Sequence, residues 1–336
     1  MGAAPAETET APEYGRTVTK YASVPKFGGY YIGKYAYSDK DYSHGGDGLS
    51  HRLIRAYVDG TIFGDFKYRV QVELCNSNFH MKDVFLEWQK YSFFKVKVGQ
   101  FKRAFGFENP MNPWDISTGD YAQFTKKLTG MGDYVGDATS SNGGRDQGIQ
   151  IQGDLLPVGK DNHNLIHYQV GLWNGQGINS KDKDGKKDII GTIQVQPIKN
   201  LYVGFFGWHG NFIADNGINY DRNRYAFGAK YENNGWSARA EWGHGQSNHG
   251  KGNADAWYVL GGMPINDWLR ISAKYDVYRL GKEWSQSSNI YSIIPEIQLH
   301  KNLKLQVQYN WNDNRSNRGR GDVHYNELWG ELYFRF

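Results

Sequence analysis

Polar and apolar side chains alternate strictly along most of this chain. Between residues 303 and 311 the two sets are Leu303, Leu305, Val307, Tyr309 and Trp311 on one face and Lys304, Gln306, Gln308 and Asn310 on the other. Successive side chains of a β-strand point to opposite faces, so this period of two residues predicts a strand with one apolar and one polar face. Similar segments recur from residue 26 to the end, which indicates an all-β chain.

The alternating segments and their links predict about sixteen antiparallel strands. The strands are expected at 26–37, 51–62, 66–75, 80–90, 93–101, 146–154, 165–174, 188–196, 201–210, 223–233, 235–244, 254–264, 268–278, 290–300, 303–311 and 325–336. The links are alternately tight, as at 301–302, and long, as at 175–187. Short turns at one end and long loops at the other are typical of a barrel whose strands cross a membrane. Two links depart from this alternation, the short one at 76–79 and the long one at 155–164.

The composition favours a membrane barrel. Aromatic residues make up 15% of the chain and glycines number 42, yet the mean hydropathy is −0.70. A transmembrane barrel needs this mixture, because one face of each strand meets lipid, the other meets water, and aromatic rings gather at both interfaces. A soluble sandwich also alternates, but aromatics near predicted strand ends favour the barrel: Tyr57, Trp88, Trp173, Trp208, Trp242, Tyr309 and Trp311. Charges interrupt every apolar stretch well before the roughly twenty residues of a helical membrane span.

The two ends of the chain fit the same interpretation. The last strand has one face formed by Leu328, Gly330, Leu332, Phe334 and Phe336, and this aromatic terminus resembles the assembly signal of outer-membrane proteins. Residues 1–25 lack periodicity and are predicted to form a flexible periplasmic tail. Residues 1–10 contain no apolar stretch, so the signal peptide of an exported protein is expected to have been removed or replaced. The prediction is a transmembrane antiparallel β-barrel over residues 26–336, in the outer membrane of a Gram-negative bacterium.

Charge and cysteine content exclude several other classes. The formal net charge is +4, from 39 basic and 35 acidic residues that are interspersed, so nucleic-acid binding gains no support. The single cysteine, Cys75, allows neither an internal disulfide nor a cysteine metal cluster. Asp182, Asp184 and Asp188 have only part of the spacing of a calcium loop, which favours a solvated outer loop. No metal or other cofactor is expected.

The link from residue 102 to 145 is far longer than an ordinary connection and is therefore expected to be functional. The strand before it and its first residues read Lys95-Val-Lys-Val-Gly-Gln-Phe-Lys-Arg-Ala-Phe-Gly-Phe-Glu108. This stretch resembles the Val-Gly-Gln-Phe-Lys-x-Pro-Phe-Gly-x-Glu motif of the phosphate-selective porin O and P family. The strand number, the loop position and the C-terminal Phe extend the resemblance loosely over residues 26–336. Ala104 departs from it, because the family usually has Pro there.

The resemblance implies an outer-membrane porin that small hydrophilic solutes and ions cross by passive diffusion. In sixteen-stranded porins the third outer loop folds into the lumen and narrows it, so 102–145 is expected to be the constriction loop. In the best-known family members Arg and Lys line the constriction and attract anions, phosphate above all. The resemblance also implies a homotrimer. The expected partners are thus small hydrophilic solutes or anions, outer-membrane lipid, lipopolysaccharide and further copies of the chain.

The expected anion-binding residues are basic side chains of the third and fifth strands and of the loop: Lys67, Arg69, Lys95, Lys97, Lys102, Arg103, Lys126 and Lys127. The loop is balanced in charge, because it also contains Glu108, Asp115, Asp120, Asp133 and Asp137. Anion selectivity therefore depends on local placement. The alternative is that each wall cation pairs with Glu73, Asp83 or Glu87 on a neighbouring strand and stabilises the wall.

Two other functions stay open. Tyr57, Phe85, Trp329 and Tyr333 fall on the predicted inner face, and rings gathered in one band would favour a carbohydrate or nutrient channel. An outer-membrane enzyme is disfavoured because the histidines and serines form no Gly-x-Ser-x-Gly or His-Glu-x-x-His motif. The chain is therefore expected not to be an enzyme.

Overall fold

A computed structural model describes residues 22–40, 47–75, 79–131, 143–213, 217–246, 253–319 and 321–336. These residues form a closed barrel of sixteen antiparallel strands. The barrel strands are β1 (Lys26–Ser38), β2 (Gly48–Ile62), β3 (Phe66–Glu73), β4 (His80–Trp88), β5 (Lys95–Lys102), β6 (Arg145–Val158), β7 (His163–Trp173), β8 (Asp188–Ile198), β9 (Leu201–His209), β12 (Arg224–Asn233), β13 (Trp236–Gly245), β14 (Ala254–Pro264), β15 (Leu269–Leu280), β16 (Ser288–His300), β17 (Leu303–Asn314) and β18 (His324–Arg335).

Four short elements lie outside the barrel wall. Strands β10 (Asn211–Ile213) and β11 (Asn219–Asp221) pair with each other in the link between β9 and β12. Helix α1 (Gln123–Leu128) lies in the link between β5 and β6. Two single 3₁₀ turns, Trp284–Gln286 and Arg315–Asn317, follow β15 and β17. Among the described residues, no helix is long and apolar enough to cross a membrane.

The barrel closes by pairing its first strand with its last. Strand β1 pairs with β2 on one side and with β18 on the other, both antiparallel. Backbone hydrogen bonds between Gly29 and Phe336, at 3.1 and 3.2 Å, extend this pairing to the C-terminal residue. Closure leaves no strand edge with unpaired backbone groups, as a β-structure that spans a membrane requires.

The predicted strands are confirmed, and so is the architecture. Each of the sixteen predicted segments coincides with one barrel strand, with ends that differ by a few residues. The link predicted at 155–164 is shorter than expected, because β6 continues to Val158 and β7 begins at His163. The alternation of tight and long links therefore holds there too. Residues 76–78 of the other irregular link lie outside the described residues.

The tight turn between β12 and β13 has the residue types that a two-residue hairpin demands. Between β12 and β13 the link is Asn234-Gly235, and both residues have positive φ, at 49° and 82°. Asn-Gly with two positive φ values is the preferred two-residue hairpin, because its twist matches that of the flanking strands.

The two faces of each strand differ as the alternation predicted. In β17 the polar positions Gln306, Gln308 and Asn310 are buried inside the barrel, while Tyr309 and Trp311 are exposed on the outside. The final strand exposes Leu328 and Leu332 and buries Glu331. A polar interior and an apolar exterior reverse the arrangement of a soluble protein.

Part of the barrel interior is nevertheless apolar. Trp173 and Trp208, which were predicted to mark strand ends at a membrane interface, point inward and are 0% and 3% exposed. Trp173 packs on Phe101 at 4.6 Å between ring centroids, and Trp208 packs on Phe105 at 5.8 Å. The reason is that the segment after β5 supplies apolar side chains of its own, so the wall beneath it is apolar too.

The predicted N-terminal tail falls mostly in residues 1–21, outside the described residues. Its last residues pair with the end of β2. Ala22 forms a β-bridge with Ile62, and the backbone N–H of Ser23 donates to the carbonyl of Thr61 at 2.7 Å.

Candidate functional site

The basic side chains of β3 and β5 project from the inner face of the wall. Lys67 and Arg69 alternate with Tyr68 and Val70, and Lys97 alternates with the exposed Val98. In the strand register Lys67 lies opposite Glu87 of β4, and Glu87 lies opposite Lys97 of β5. The register therefore brings cations of β3 and β5 to either side of one carboxylate.

A cavity of about 280 Å³ lies between this wall and the segment that follows β5. Six basic side chains and one carboxylate line it: Arg55, Lys67, Arg69, Lys97, Lys102 and Arg145, with Asp83. The segment contributes uncharged residues to the opposite side: Ala104, Pro110, Met111, Asn112 and Pro113. Glutamines of β6 and β7, including Gln150 and Gln169, line the rest together with the rings of Phe85 and Phe101. The cavity is therefore strongly basic on one side and neutral on the other.

Four of the six cations are paired with carboxylates of the wall. Arg55 contacts Glu73 at 2.7 Å, Arg69 contacts Asp59 at 2.6 Å, Lys97 contacts Glu87 at 3.4 Å and Arg145 contacts Asp83 at 2.8 Å. Glu73 is shared, because Lys82 also approaches it, at 3.2 Å. The alternative, in which wall cations pair with carboxylates of neighbouring strands, therefore holds for part of the wall. Among the predicted anion-binding residues, only Lys97 pairs with one of the three expected carboxylates, Glu87.

Two cations of the cavity have no carboxylate partner among the described residues. Lys67 is exposed to the lumen. Lys102 donates to the backbone carbonyl oxygens of Asn109 and Met111 at 2.7 and 2.6 Å and to the hydroxyl of Tyr121 at 3.2 Å. These partners are neutral, so the cavity keeps a positive excess after its ion pairs are counted.

The first described part of the long link, residues 103–131, is hydrogen-bonded to the inner face on the far side of the barrel. We call it the inner segment. The carboxylate of Glu241 on β13 accepts from the backbone N–H groups of Phe107 and Glu108, at 2.5 and 3.2 Å. Asp276 on β15 accepts from the N–H of Gln123 at 2.9 Å. Since these side chains belong to β13 and β15, the segment reaches across from β5 to the opposite half of the wall.

Further contacts extend this attachment to β17. The side chain of Gln308 accepts from the N–H of Gly119 at 2.7 Å, and Lys304 donates to the carbonyl of Trp114 at 2.7 Å. Phe124 of helix α1 packs between Phe105 and Tyr258, at 6.2 and 6.5 Å between ring centroids. The inner segment is therefore held by polar and apolar contacts along its length.

None of the described acidic residues of the inner segment, Glu108, Asp115 and Asp120, lines the cavity. Glu108 is fully buried and contacts Arg239 on β13 at 2.9 Å. Asp120 pairs with Lys126 and lies 3.8 Å from Arg52 on β2. Burial raises the pKa of Asp120, but Lys126 and Arg52 outweigh it and hold the pKa well below its usual value. Asp133 and Asp137 lie outside the described residues.

The structure brings together four of the eight predicted anion-binding residues, Lys67, Arg69, Lys97 and Lys102. The others lie elsewhere. Lys95 pairs with Asp154 at 3.0 Å, and the fully buried Arg103 pairs with Asp146 at 2.9 Å. Lys126 is bound to Asp120, and Lys127 lines a second cavity beside Tyr278. Neighbours in sequence at the root of the segment, such as Lys102 and Arg103, thus point to different surroundings.

Two cavity residues, Arg55 and Arg145, were not among the predicted set. The alternation of polar and apolar residues could have indicated Arg55, because it lies at an inward position of β2. Only the register, which sets Arg55 opposite Glu73, shows that it reaches the same cavity as β3. Arg145 begins β6 and lies opposite Lys102. The sequence predicts that pairing only if the strand after the long link, β6, is known to pair with β5.

The four inward rings do not form one aromatic band. Arg69 lies over Tyr57 at 4.9 Å, and Lys97 lies over Phe85 at 4.6 Å. The ammonium group of Lys34 instead lies 3.3 Å from the ring centroid of Trp329, and Tyr333 is fully buried against Trp114. Phe85 thus lines the basic cavity, whereas Tyr57 packs against the same buried cluster as Tyr333 and Trp114, although its ring also contacts Arg69.

The three aspartates of the outer loop do not converge on one point. Asp182 accepts from the backbone N–H groups of Asp184 and Gly185 at 3.1 and 2.9 Å, and it pairs with Lys187. Asp188 is buried and accepts from the indole of Trp208 at 2.8 Å. Across the described ranges, no group of three or more acidic, His or Cys side chains is arranged to hold a metal ion.

No family model matches the chain, and no curated protein matches it by sequence. Solved structures share its fold. The anion-selective porin of Comamonas acidovorans matches with a TM-score of 0.69 and 15% identity, over 94% of this chain and 100% of that one. The outer-membrane channel DcaP of Acinetobacter baumannii matches at 0.67 and 13%, over 94% and 98%. Salmonella typhi OmpF matches at 0.64 and 12%, over 93% and 97%. At these identities the likeness establishes the fold, a closed sixteen-stranded barrel like those of outer-membrane porins and channels.

Proposed function

We propose that this protein is an outer-membrane porin that small hydrophilic solutes and ions cross by passive diffusion, with a preference for anions. The observation that carries the proposal is the lumenal cavity, which six basic side chains and a single carboxylate line. The site is assigned no chemical step and no cofactor. The site acts by attracting anions and by filtering the solutes that pass.

The outer surface supports insertion in a membrane. Large apolar side chains are exposed around the barrel, among them Val98, Ile149, Phe205, Val259 and Ile293. In water such a surface would be unstable, whereas in lipid it is the expected surface of a barrel. Because a closed barrel satisfies its backbone hydrogen bonds internally, it is one of the two structures able to span a bilayer.

We assign the inner segment the role of the constriction. It runs from β5 to contacts with β13, β15 and β17, whose inner faces lie in the other half of the barrel. A sixteen-stranded barrel without such an insertion encloses a wide water channel. The space left between the inner segment and β2–β6 is the cavity with the positive excess, so solutes that pass there meet the cations of that wall.

The placement of charge favours anions over cations. Lys67 and Lys102 lack carboxylate partners in the described residues, and the acidic side chains Glu108 and Asp120 do not line the cavity but are paired with Arg239 and Lys126. Charges that face a narrow, partly desolvated passage act more strongly than charges in bulk water. The local excess therefore matters more than the overall charge of +4.

We propose membership of the phosphate-selective porin O and P family from the motif at residues 95–108. A homotrimer and contact with lipopolysaccharide follow from that same resemblance. The fold shared with an anion-selective porin supports the anion preference. From the same motif we propose phosphate as the preferred solute.

The test is planar-bilayer recording of the purified protein. In a potassium chloride gradient we expect stable conductance steps and a zero-current potential with the sign of anion preference. Addition of phosphate is then expected to reduce the chloride current. Cation preference would contradict the anion proposal, and absence of conductance steps would contradict the porin itself.

A further inference from the structure

We infer that the cavity selects organic anions that carry an apolar group over anions of equal charge that lack one. The inference rests on the proposed anion-preferring porin and names the class of solute for that same site. It follows from the apolar surfaces that lie beside the cavity's cations.

The basic wall is interleaved with aromatic rings. The ammonium group of Lys97 lies 4.6 Å from the ring centroid of Phe85 and 5.2 Å from that of Phe101. The guanidinium of Arg69 lies 4.9 Å from the ring of Tyr57. Phe85 and Phe101 line the cavity, so an anion that enters it meets hydrocarbon surface beside Lys97.

The inner segment presents a second apolar surface across the cavity. Pro110, Met111 and Pro113 line it, and Pro110 is exposed to the lumen. This edge is held in place from both sides. Lys102 binds the carbonyl of Met111 at 2.6 Å, and the guanidinium of Arg239 contacts the sulfur of Met111 at 3.0 Å. A solute between the wall and this edge has cations and rings on one side and aliphatic groups on the other.

Such a site treats two kinds of anion differently. A small hydrated anion such as phosphate interacts with the cations alone. A carboxylate attached to a ring keeps that interaction and also removes apolar surface from water, which is favourable in proportion to the area buried. A volume of about 280 Å³ accommodates one ring with its carboxylate.

The experiment compares benzoate, acetate and phosphate as blockers of the chloride current through single channels of the purified protein. Benzoate and acetate have the same charge and the same carboxylate, so their difference reports the apolar group. We expect half-block by benzoate at a concentration about tenfold lower than by acetate, as burial of part of a ring would produce. Equal half-block by benzoate and acetate would overturn the inference.

Variants of the apolar edge locate the effect. Pro110→Ser and Met111→Gln are each expected to bring the benzoate value towards that of acetate while both anions still block. Leu280→Ser, at an apolar residue of the second cavity, is the matched control and is expected to keep the wild-type difference. A benzoate preference that survives both edge variants would overturn the assignment of the apolar contact to this edge.

The outcome is separable from that of the proposed function. Anion preference in the salt gradient with no benzoate preference refutes the inference and leaves the porin proposal intact. Cation preference in the gradient refutes the anion proposal and the inference with it.

Discussion

The ammonium group of Lys102 donates a hydrogen bond to the backbone carbonyl oxygen of Met111, 2.6 Å away. Lys102 ends the strand from which the inner segment departs, and Met111 lies on the edge of that segment facing the basic wall. One side chain therefore supplies positive charge to the cavity and also sets the position of the edge opposite it.

Lys102→Met is expected to change both properties at once. It removes a charge without a carboxylate partner and leaves the carbonyls of Asn109 and Met111 without their donor, at a cost of about 1–3 kcal/mol. We expect a lower anion preference in the zero-current potential and larger fluctuations of the open-channel current. Lys160→Met, at an exposed turn between β6 and β7, is the control and is expected to behave as wild type. An unchanged zero-current potential in Lys102→Met would show that this charge does not act on the permeating ions.

Lys67 and Lys95 are matched lysines on the inner face that differ in their surroundings. Lys67 lines the cavity and has no carboxylate partner in the described residues, whereas Lys95 is paired with Asp154 and lies outside the cavity. Lys67→Gln is therefore expected to reduce anion preference clearly, and Lys95→Gln to leave it nearly unchanged. The measurement is the zero-current potential of each variant in the same salt gradient. Equal effects of the two substitutions would mean that overall lumen charge, rather than the cavity, sets selectivity.

The barrel was predictable because its evidence is local. The alternation of Leu303 to Trp311 with polar neighbours assigns the two faces of β17 without knowledge of any other strand. The turn at Asn234-Gly235 is likewise determined by its own residue types. Helix α1 and the β10–β11 hairpin were not predicted, because each is very short and is stabilised by its surroundings. Phe124 of α1, for example, is buried by Phe105 and Tyr258.

The site was only partly predictable because it depends on register and on the path of the inner segment. Residue type and alternation were enough to place Lys67, Arg69 and Lys97 in the lumen. They could not show that Arg103, next to Lys102, turns to Asp146 and the ring of Trp208. Arg145 also reaches the cavity only through its pairing with Lys102 across the two ends of the long link.

Glu241 is the wall carboxylate that binds the backbone of the inner segment most directly. It accepts from the N–H groups of Phe107 and Glu108 and from the hydroxyl of Tyr258. Glu241→Gln replaces one carboxylate oxygen by a donor that faces donors, so we expect a loss of about 2–3 kcal/mol in unfolding free energy. Thermal unfolding in detergent micelles measures this, with Glu283→Gln in the exposed turn after β15 as the control. A melting temperature equal to that of wild type would contradict the role of Glu241 as an anchor.

Asp120 makes the stability of the inner segment depend on pH in a defined direction. Its pKa is held well below the usual value, because the charges of Lys126 and Arg52 outweigh the effect of burial. A carboxyl with a depressed pKa in the folded state contributes stability above its unfolded pKa of about 3.9, and this contribution is lost as the pH falls towards the folded value. Asp120→Asn is therefore expected to be less stable than wild type by a constant amount between about pH 5 and 7.

Below about pH 4 the difference between wild type and Asp120→Asn is expected to shrink, because acid then neutralises the wild-type carboxyl too. Thermal unfolding in detergent across the range from about pH 2 to 7 measures the difference directly. Asp267→Asn, in the exposed turn between β14 and β15, controls for the loss of one carboxylate from the surface and is expected to show no such convergence. A wild-type advantage that stays constant or grows in acid would mean that Asp120 holds the inner segment by its shape and hydrogen bonds, and not by its charge.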